Sequence, residues 1–364
     1  MSCCSPKEKA AGCPPKRKSE SDTIKDSVKD YYGKKLQASS DLQTNACTLN
    51  TGAMPKHIRL ALKEVHEEIT NRYYGCGQVI PDGLDKMTVL DLGSGAGQDV
   101  YTLAKLVGED GFVTGLDMTD EQLAIANEYK EYHREKFGYK KVNTEFVKGF
   151  IEDLKTPGIP DNKFDVIISN CVVNLSPDKK AVIDEAYRVL KVGGELYFSD
   201  IYADCDLPEE VRKHEVLWGE CIAGALYWRD FVKIANEVGF SQPRIYSSGI
   251  MDIQNAELEK AVGNAKFVST TYRLFKLPSE LDKPTNVKYK GTLLDKEKEF
   301  DFDINNTFKA NELKYVNSEL ATILRLSRFA RVFDFVPAET IQPETETKDA
   351  DPFQVATTKA SCCS

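Results

Sequence analysis

Ten cysteines occur in 364 residues, and four of them stand in phrases where a thiol could do chemistry. Cys171 closes Phe164-Asp-Val-Ile-Ile-Ser-Asn-Cys, a β-branched strand pattern running out into the kind of crevice where open α/β sheets bind ligands. Cys221 lies in Leu217-Trp-Gly-Glu-Cys-Ile-Ala-Gly-Ala-Leu-Tyr-Trp228, Cys47 in Thr44-Asn-Ala-Cys-Thr-Leu-Asn50 and Cys76 in Tyr73-Tyr-Gly-Cys-Gly77. No pair has CxxC spacing, so neither a zinc finger nor a thioredoxin-type dithiol is indicated, and joint action requires the fold to gather distant thiols. Each has a bland alternative. Cys171 could be a small core residue, Cys221 a small side chain between Gly219 and Gly224, and Cys47 and Cys76 surface or turn thiols. The terminal pairs Cys3-Cys4 and Cys362-Cys363 are expected to be dispensable, and Cys205 receives no role.

The element that must position such a site is announced by Val89-Leu-Asp-Leu-Gly-Ser-Gly-Ala-Gly-Gln-Asp99, an apolar strand breaking into three alternating glycines before the amphipathic run Val100–Val107. Gly93, Gly95 and Gly97 permit a tight turn and close ligand approach at a helix N-terminus. Asp91 precedes them, and Asp117 follows the last by twenty residues at the end of Phe112-Val-Thr-Gly-Leu-Asp, where such folds offer a carboxylate to ribose hydroxyls. A dinucleotide would use the same parts but needs a longer anion cradle. The Asp-Leu-Gly-Ser-Gly-Ala-Gly pattern instead resembles the first motif of class I S-adenosylmethionine methyltransferases, whose ligand carries an amino acid.

Gly149-Phe-Ile-Glu-Asp-Leu154 supplies an apolar and acidic loop suited to an adenine edge, with Glu152 accepting from the amino group. Ile151 and Met118 could flank adenine or simply pack, and Glu152 could instead initiate a helix. Asn170 could bond the methionine part of the ligand or cap the turn after its strand, and Tyr74, beside Cys76, is a further contact candidate. Lys191-Val-Gly-Gly-Glu-Leu reads as a helix ending at glycines before the next strand.

Glycine loop and cysteine phrases together resemble the arsenite S-adenosylmethionine methyltransferases, from about residue 25 through a second domain; Ser169-Asn-Cys-Val-Val-Asn-Leu and Leu217–Trp228 carry most of the likeness. The resemblance implies S-adenosylmethionine as methyl donor, trivalent arsenicals and their glutathione conjugates as substrates, and thioredoxin or glutathione as reductant. It also implies that Cys171 and Cys221 hold arsenic in every round, with Cys47 and Cys76 completing capture and relaying a disulfide. Thiophilic trivalent arsenic fits such a set, and its lone pair is the nucleophile, so none of the four histidines need be catalytic. Two other classes stay open: a methyltransferase for a small organic acceptor with packing cysteines, and a noncatalytic metalloid-sequestering protein.

Alternating strand and helix patterns over 88–200 predict an α/β fold, a mostly parallel sheet with helices on both faces, which the resemblance implies is Rossmann-like and of class I methyltransferase type, plus a smaller C-terminal α+β domain. The expected division is a polar mobile arm (1–40), the cofactor and thiol domain (41–245), the smaller domain (246–340) and a disordered cysteine-containing tail (341–364). Pro55–Ile69 predicts a helix with Ile58, Leu62, Val65 and Ile69 on one face, while Phe267–Phe275, Asn286–Leu293 and Glu299–Ile304 predict strands of the smaller domain. With 41% hydrophobic and 29% charged residues, no signal-peptide core and no membrane-length apolar run, a cytoplasmic protein is expected. A net charge of -9 argues against nucleic acid as partner, and the absence of a heptad seam favours a monomer.

Overall fold

A computed structural model describes residues 19–35, 54–75, 79–253, 255–338 and 350–361. Its centre is a sheet of β1 (Thr88–Leu92), β2 (Phe112–Asp117), β3 (Thr144–Lys148), β4 (Phe164–Asn170), β5 (Leu190–Ala203), β6 (Leu226–Tyr227), β7 (Arg244–Met251) and β8 (Phe267–Phe275). The order is β3-β2-β1-β4-β5-β8-β7, with β6 beside β5. The first five strands pair in parallel, and β8 runs antiparallel between β5 and β7.

Strand alternation divides the core into two layers. Leu90, Leu92, Ile167, Leu196 and Phe198 join a cluster with helices Lys179–Val189 and Trp228–Val238. Their neighbours Val89, Val166, Ile168 and Tyr197 join another with helix Gln98–Val107. A two-residue period with both faces apolar is what a helix-covered parallel sheet demands. The expected α/β architecture is therefore present.

Beyond it, β9 (Thr285–Tyr289), β12 (Leu313–Val316) and β13 (Phe333–Val336) form one small antiparallel sheet, and β10 (Glu299–Asp303) with β11 (Asn306–Lys309) another. They enclose Phe300, Phe302, Phe308, Phe329 and Phe333 together with helix Ser318–Leu326.

Several sequence expectations need correction. Phe267–Phe275 is not in the smaller domain: as β8 it completes the main sheet with β7, because all nine of its residues are buried. The boundary expected at 245 therefore falls inside β7. Gly193 and Gly194 lie within β5 rather than ending a helix. A Cβ on Gly193 would sit 2.4 Å from the Leu326 carbonyl oxygen, so the missing side chain admits the smaller domain's helix. The arm is ordered over Glu20–Lys35 as an α-helix, Glu20–Asp30, and a π-helical turn, Tyr31–Lys35. Ser19 caps it: its hydroxyl accepts from Asp22 N, and the Asp22 carboxylate accepts from Ser19 N. In the tail, Pro352–Ser361 is a helix docked on β7 and β8, with Ala356 buried and Phe353 and Val355 against the main core. Finally, the helix expected over Pro55–Ile69 is two, Lys56–Leu62 and Glu67–Thr70, although Ile58, Val65 and Ile69 are buried as expected.

Candidate active site

The cavity opens at the C-terminal ends of β1, β2 and β4, where a parallel sheet leaves room between diverging loops. After β1 the chain turns through Gly93, Gly95 and Gly97, all at positive φ. A Cβ on Gly95 would meet nothing within 4 Å, which leaves its backbone open to a ligand. Gly97 behaves differently. It is not among the lining residues, and a Cβ there would lie 2.9 Å from the Phe146 ring, so its conformation serves the start of helix Gln98–Val107 rather than ligand contact.

The walls include the expected Tyr74, Asp91, Gly93, Gly95, Asp117, Met118, Ile151, Glu152 and Asn170. Asp117 closes the glycine turn by accepting from Gly95 N at 2.9 Å and Thr119 N at 2.8 Å. Asp91, Asp99 and Asp117 all reach the cavity. Burial raises Asp99 to about 6 against hydrogen bonds from Asn170, Gln98 and Tyr73. Burial also raises Asp117, and it raises Asp91 well above the carboxylate range with help from the charges of Asp99 and Asp117. Three carboxylates that resist ionising together form a socket for a cationic ligand. Asn170 directs its amide to the Tyr73 hydroxyl at 2.6 Å, across the cavity wall. Glu152 accepts from Ser176 Oγ at 2.6 Å and lies 3.5 Å from Lys25 Nζ.

At its inner end the cavity reaches Cys171. Cys171 and Cys221 both hold left-handed backbone, φ 56° and 65°, which a non-glycine residue keeps only where its surroundings impose it. The Cys221 thiol donates to the Cys171 carbonyl oxygen at 2.8 Å. Asn174 joins the two segments, its amide donating to the carbonyls of Ile201 and Cys221. Both cysteines sit in an apolar cluster with Ile201, Leu217 and Ile222, so their packing role is real. Yet their sulfurs and an Asp200 carboxylate oxygen lie within 4.8 Å of one another, all buried, which packing alone does not require. Burial raises Asp200 to about 7, opposed by the backbone N–H groups of Ile201 and Asn174 and by Lys179. Lys179 is itself lowered to about 8 by burial. Cys171 is disulfide-bonded, and neither Cys205 nor Cys221 is its partner.

A methyltransferase-domain model matches residues 84–239, and an arsenite methyltransferase C-terminal-domain model matches residues 282–364. The arsenite methyltransferase of Rattus norvegicus is 49% identical over 332 residues, 90% of each chain. The chain belongs to the arsenite methyltransferase family. The human arsenite methyltransferase is 49% identical over 342 residues, covering 92% of this chain and 91% of its own. The solved arsenic (III) S-adenosylmethionine methyltransferase of Chlamydomonas reinhardtii superposes with a TM-score of 0.75 at 45% identity, over 79% of this chain and 98% of that one.

For this family member, the structure brings Cys171 and Cys221 together, whereas Cys47 and Cys76 lie outside the described residues. Lining residues that the sequence reading missed include Lys25, Val28 and Tyr32 from the arm, and Tyr73, Asp99, Gln122 and Ser176. Asp99 had a signal, standing two residues beyond the last glycine of the loop. The arm residues had none, since nothing local ties them to a strand end far along the chain. Among the described residues no helix is long and apolar enough to cross a membrane.

Proposed function

We propose that the protein transfers the methyl group of S-adenosylmethionine to trivalent arsenic bound by Cys171 and Cys221. The observation that carries this reading is one continuous arrangement: an acidic, glycine-lined cavity ending at Cys171, whose sulfur shares a buried 4.8 Å cluster with the Cys221 sulfur and an Asp200 carboxylate oxygen. The cofactor supplies an electrophilic methyl group on a sulfonium. Asp91 and Asp99 would face its positive charges, Asp117 would accept from its ribose hydroxyls, and the open backbone at Gly95 admits the amino acid portion. Ile151 and Met118 offer apolar surface to adenine, and Glu152 an acceptor.

The thiols displace hydroxide or glutathione from arsenic and hold its lone pair toward the donor, so alignment rather than proton abstraction lowers the barrier. Methylation takes arsenic formally from the trivalent to the pentavalent state. Two electrons restore it, and a pair of thiols closing to a disulfide releases two. The disulfide at Cys171 supports its place in that cycle. Cys47 and Cys76 complete arsenite capture and relay the disulfide to thioredoxin or glutathione. The same reading makes the protein a cytoplasmic monomer acting on trivalent arsenicals and their glutathione conjugates.

Arsenite offers three exchangeable positions and methylarsenite two. Cys171→Ser and Cys221→Ser are therefore expected to abolish methylation of both, at least a hundredfold by arsenic speciation, while Cys47→Ser or Cys76→Ser chiefly impairs arsenite. Full turnover of methylarsenite by Cys171→Ser would remove the central thiol from the mechanism. Arsenite binding without any consumption of S-adenosylmethionine would instead indicate sequestration.

A further inference from the structure

The segment Glu20–Lys35 touches both halves of the site. Lys25, Val28 and Tyr32 line the cavity, and the Tyr32 carbonyl accepts from the side chain of Gln122, another lining residue, at 3.1 Å. Lys25 Nζ lies 3.5 Å from Glu152 and 4.7 Å from the centre of the Phe150 ring. At Tyr31 and Tyr32 the contacts reach the thiol loop. Tyr31 donates its hydroxyl to the Glu220 carboxylate at 2.9 Å, and Tyr32 donates to the Gly219 carbonyl at 2.8 Å. Tyr31 lies so close that a Cβ on Gly219 would be 3.2 Å from its ring. Glu220 is fully buried and directly precedes Cys221, whose left-handed backbone depends on what surrounds it. The switch from α-helix to a π-helical turn falls at Tyr31, the residue aimed at Glu220. Such turns are uncommon and concentrate at functional sites.

We propose that Glu20–Lys35 is a strap through which an occupied cofactor cavity fixes the Cys221 loop for arsenic, with Tyr31 as its positioning residue. The proposal rests on the reading of Cys221 as an arsenic ligand. A ligand in the cavity adds contacts to the wall formed by Val28 and Tyr32 and so holds the segment more firmly in place. The segment in turn holds Gly219 and Glu220 through the two tyrosine hydroxyls, which sets the Cys221 thiol. Linkage makes the effect reciprocal: whatever factor the cofactor adds to arsenic affinity, arsenic adds to cofactor affinity.

The test uses the full chain, with S-adenosylhomocysteine filling the cavity and arsenite as the second ligand. Arsenite affinity is read from tryptophan fluorescence, Trp218 lying three residues from Cys221. Alkylation of Cys221 by N-ethylmaleimide, followed by mass spectrometry, is a readout that needs no arsenic. In the native protein S-adenosylhomocysteine should tighten arsenite binding about fivefold or more, a typical coupling between sites, and slow Cys221 alkylation by a similar factor. Tyr31→Phe, which removes one hydroxyl, should bind S-adenosylhomocysteine as before yet show less than a twofold effect in either readout; Glu220→Gln should do the same and stands in if Tyr31→Phe does not fold. Coupling absent from the native protein, or undiminished in both variants, overturns the strap. Protection of Cys221 without arsenite binding would keep the strap and reject the arsenic reading.

Discussion

Asp99 offers a test of how the site handles charge at the scale of one residue. Burial raises its carboxyl to about 6 from the usual 3.8, so the empty protein favours the protonated form up to about pH 6. Its contribution to the stability of the empty protein is present in full below the usual value and is lost as pH rises through about 6. A cationic ligand favours the ionised form, so affinity should move the opposite way. S-adenosylmethionine is expected to bind more tightly as pH rises from 5 to 7, by up to about tenfold per pH unit below the midpoint, with proton release on binding. Isothermal titration in buffers of different ionisation enthalpy measures both quantities. Asp99→Asn should flatten the profile, and an equally steep profile in that variant would move the effect to Asp91 or Asp117. The glycine loop and Asp117 were legible in the sequence because each occupies a local phrase with its own geometry, whereas Cys171 and Cys221 stood out only through the family resemblance of the phrases around them. Asp200 was not legible, because its proximity to the thiols comes from β5 lying beside β4, which no local spacing records.

At the scale of elements, the strands and glycine turn followed from period and punctuation, whereas the two ends did not. Polar composition made 1–40 and 341–364 read as unstructured, since neither holds an apolar face large enough to fold alone. Each nevertheless contains a short helix that gains its stability from the body beneath it. Helix Pro352–Ser361 places Ala356, Phe353 and Val355 against the core and rests on β7, the edge of the main sheet. Truncation after residue 349 is therefore expected to lower the melting temperature by several degrees, following the loss of about 1 to 3 kcal/mol of apolar burial. Removing only residues 362–364, with Cys362 and Cys363, should leave it unchanged. Differential scanning calorimetry separates the two truncations; identical melting would mean that the helix merely lies on the sheet. The misplaced domain boundary has a related origin. Phe267–Phe275 mixes apolar residues with Ser269, Thr270, Thr271 and Arg273, a pattern that reads equally as a strand of either lobe, and its partners β5 and β7 become visible only in the assembled sheet.

The largest scale is set by how the two lobes are joined, and there the chain relies on buried charge. Glu195 on β5 is fully buried and pairs with Arg273 on β8 at 2.5 Å and with Arg328 from the smaller lobe. Burial opposes its ionisation, but Arg273 and Arg328 together hold it below the usual carboxylate range. Arg328 also donates to the Asp82 carbonyl at 2.7 Å, while Arg244 reaches Asp303 and Glu319 across the same boundary. One carboxylate thus serves two guanidiniums, and the consequence is asymmetric. Arg328→Met leaves Glu195 paired with Arg273, so no buried charge is left uncompensated, and the loss should be the smaller of the two, limited to the Arg328 hydrogen bonds. Glu195→Gln leaves two buried cations without their shared anion, and removing such a partner costs about 3 to 5 kcal/mol. Urea unfolding should therefore rank Glu195→Gln far below Arg328→Met. Because β5 runs on from Glu195 to Asp200 beside the thiols, the weaker variant should also lose arsenite binding at temperatures where the native protein keeps it. Equal losses in the two variants would mean that the lobes are held by close packing such as the Leu326 backbone against Gly193, with the charges along for specificity alone.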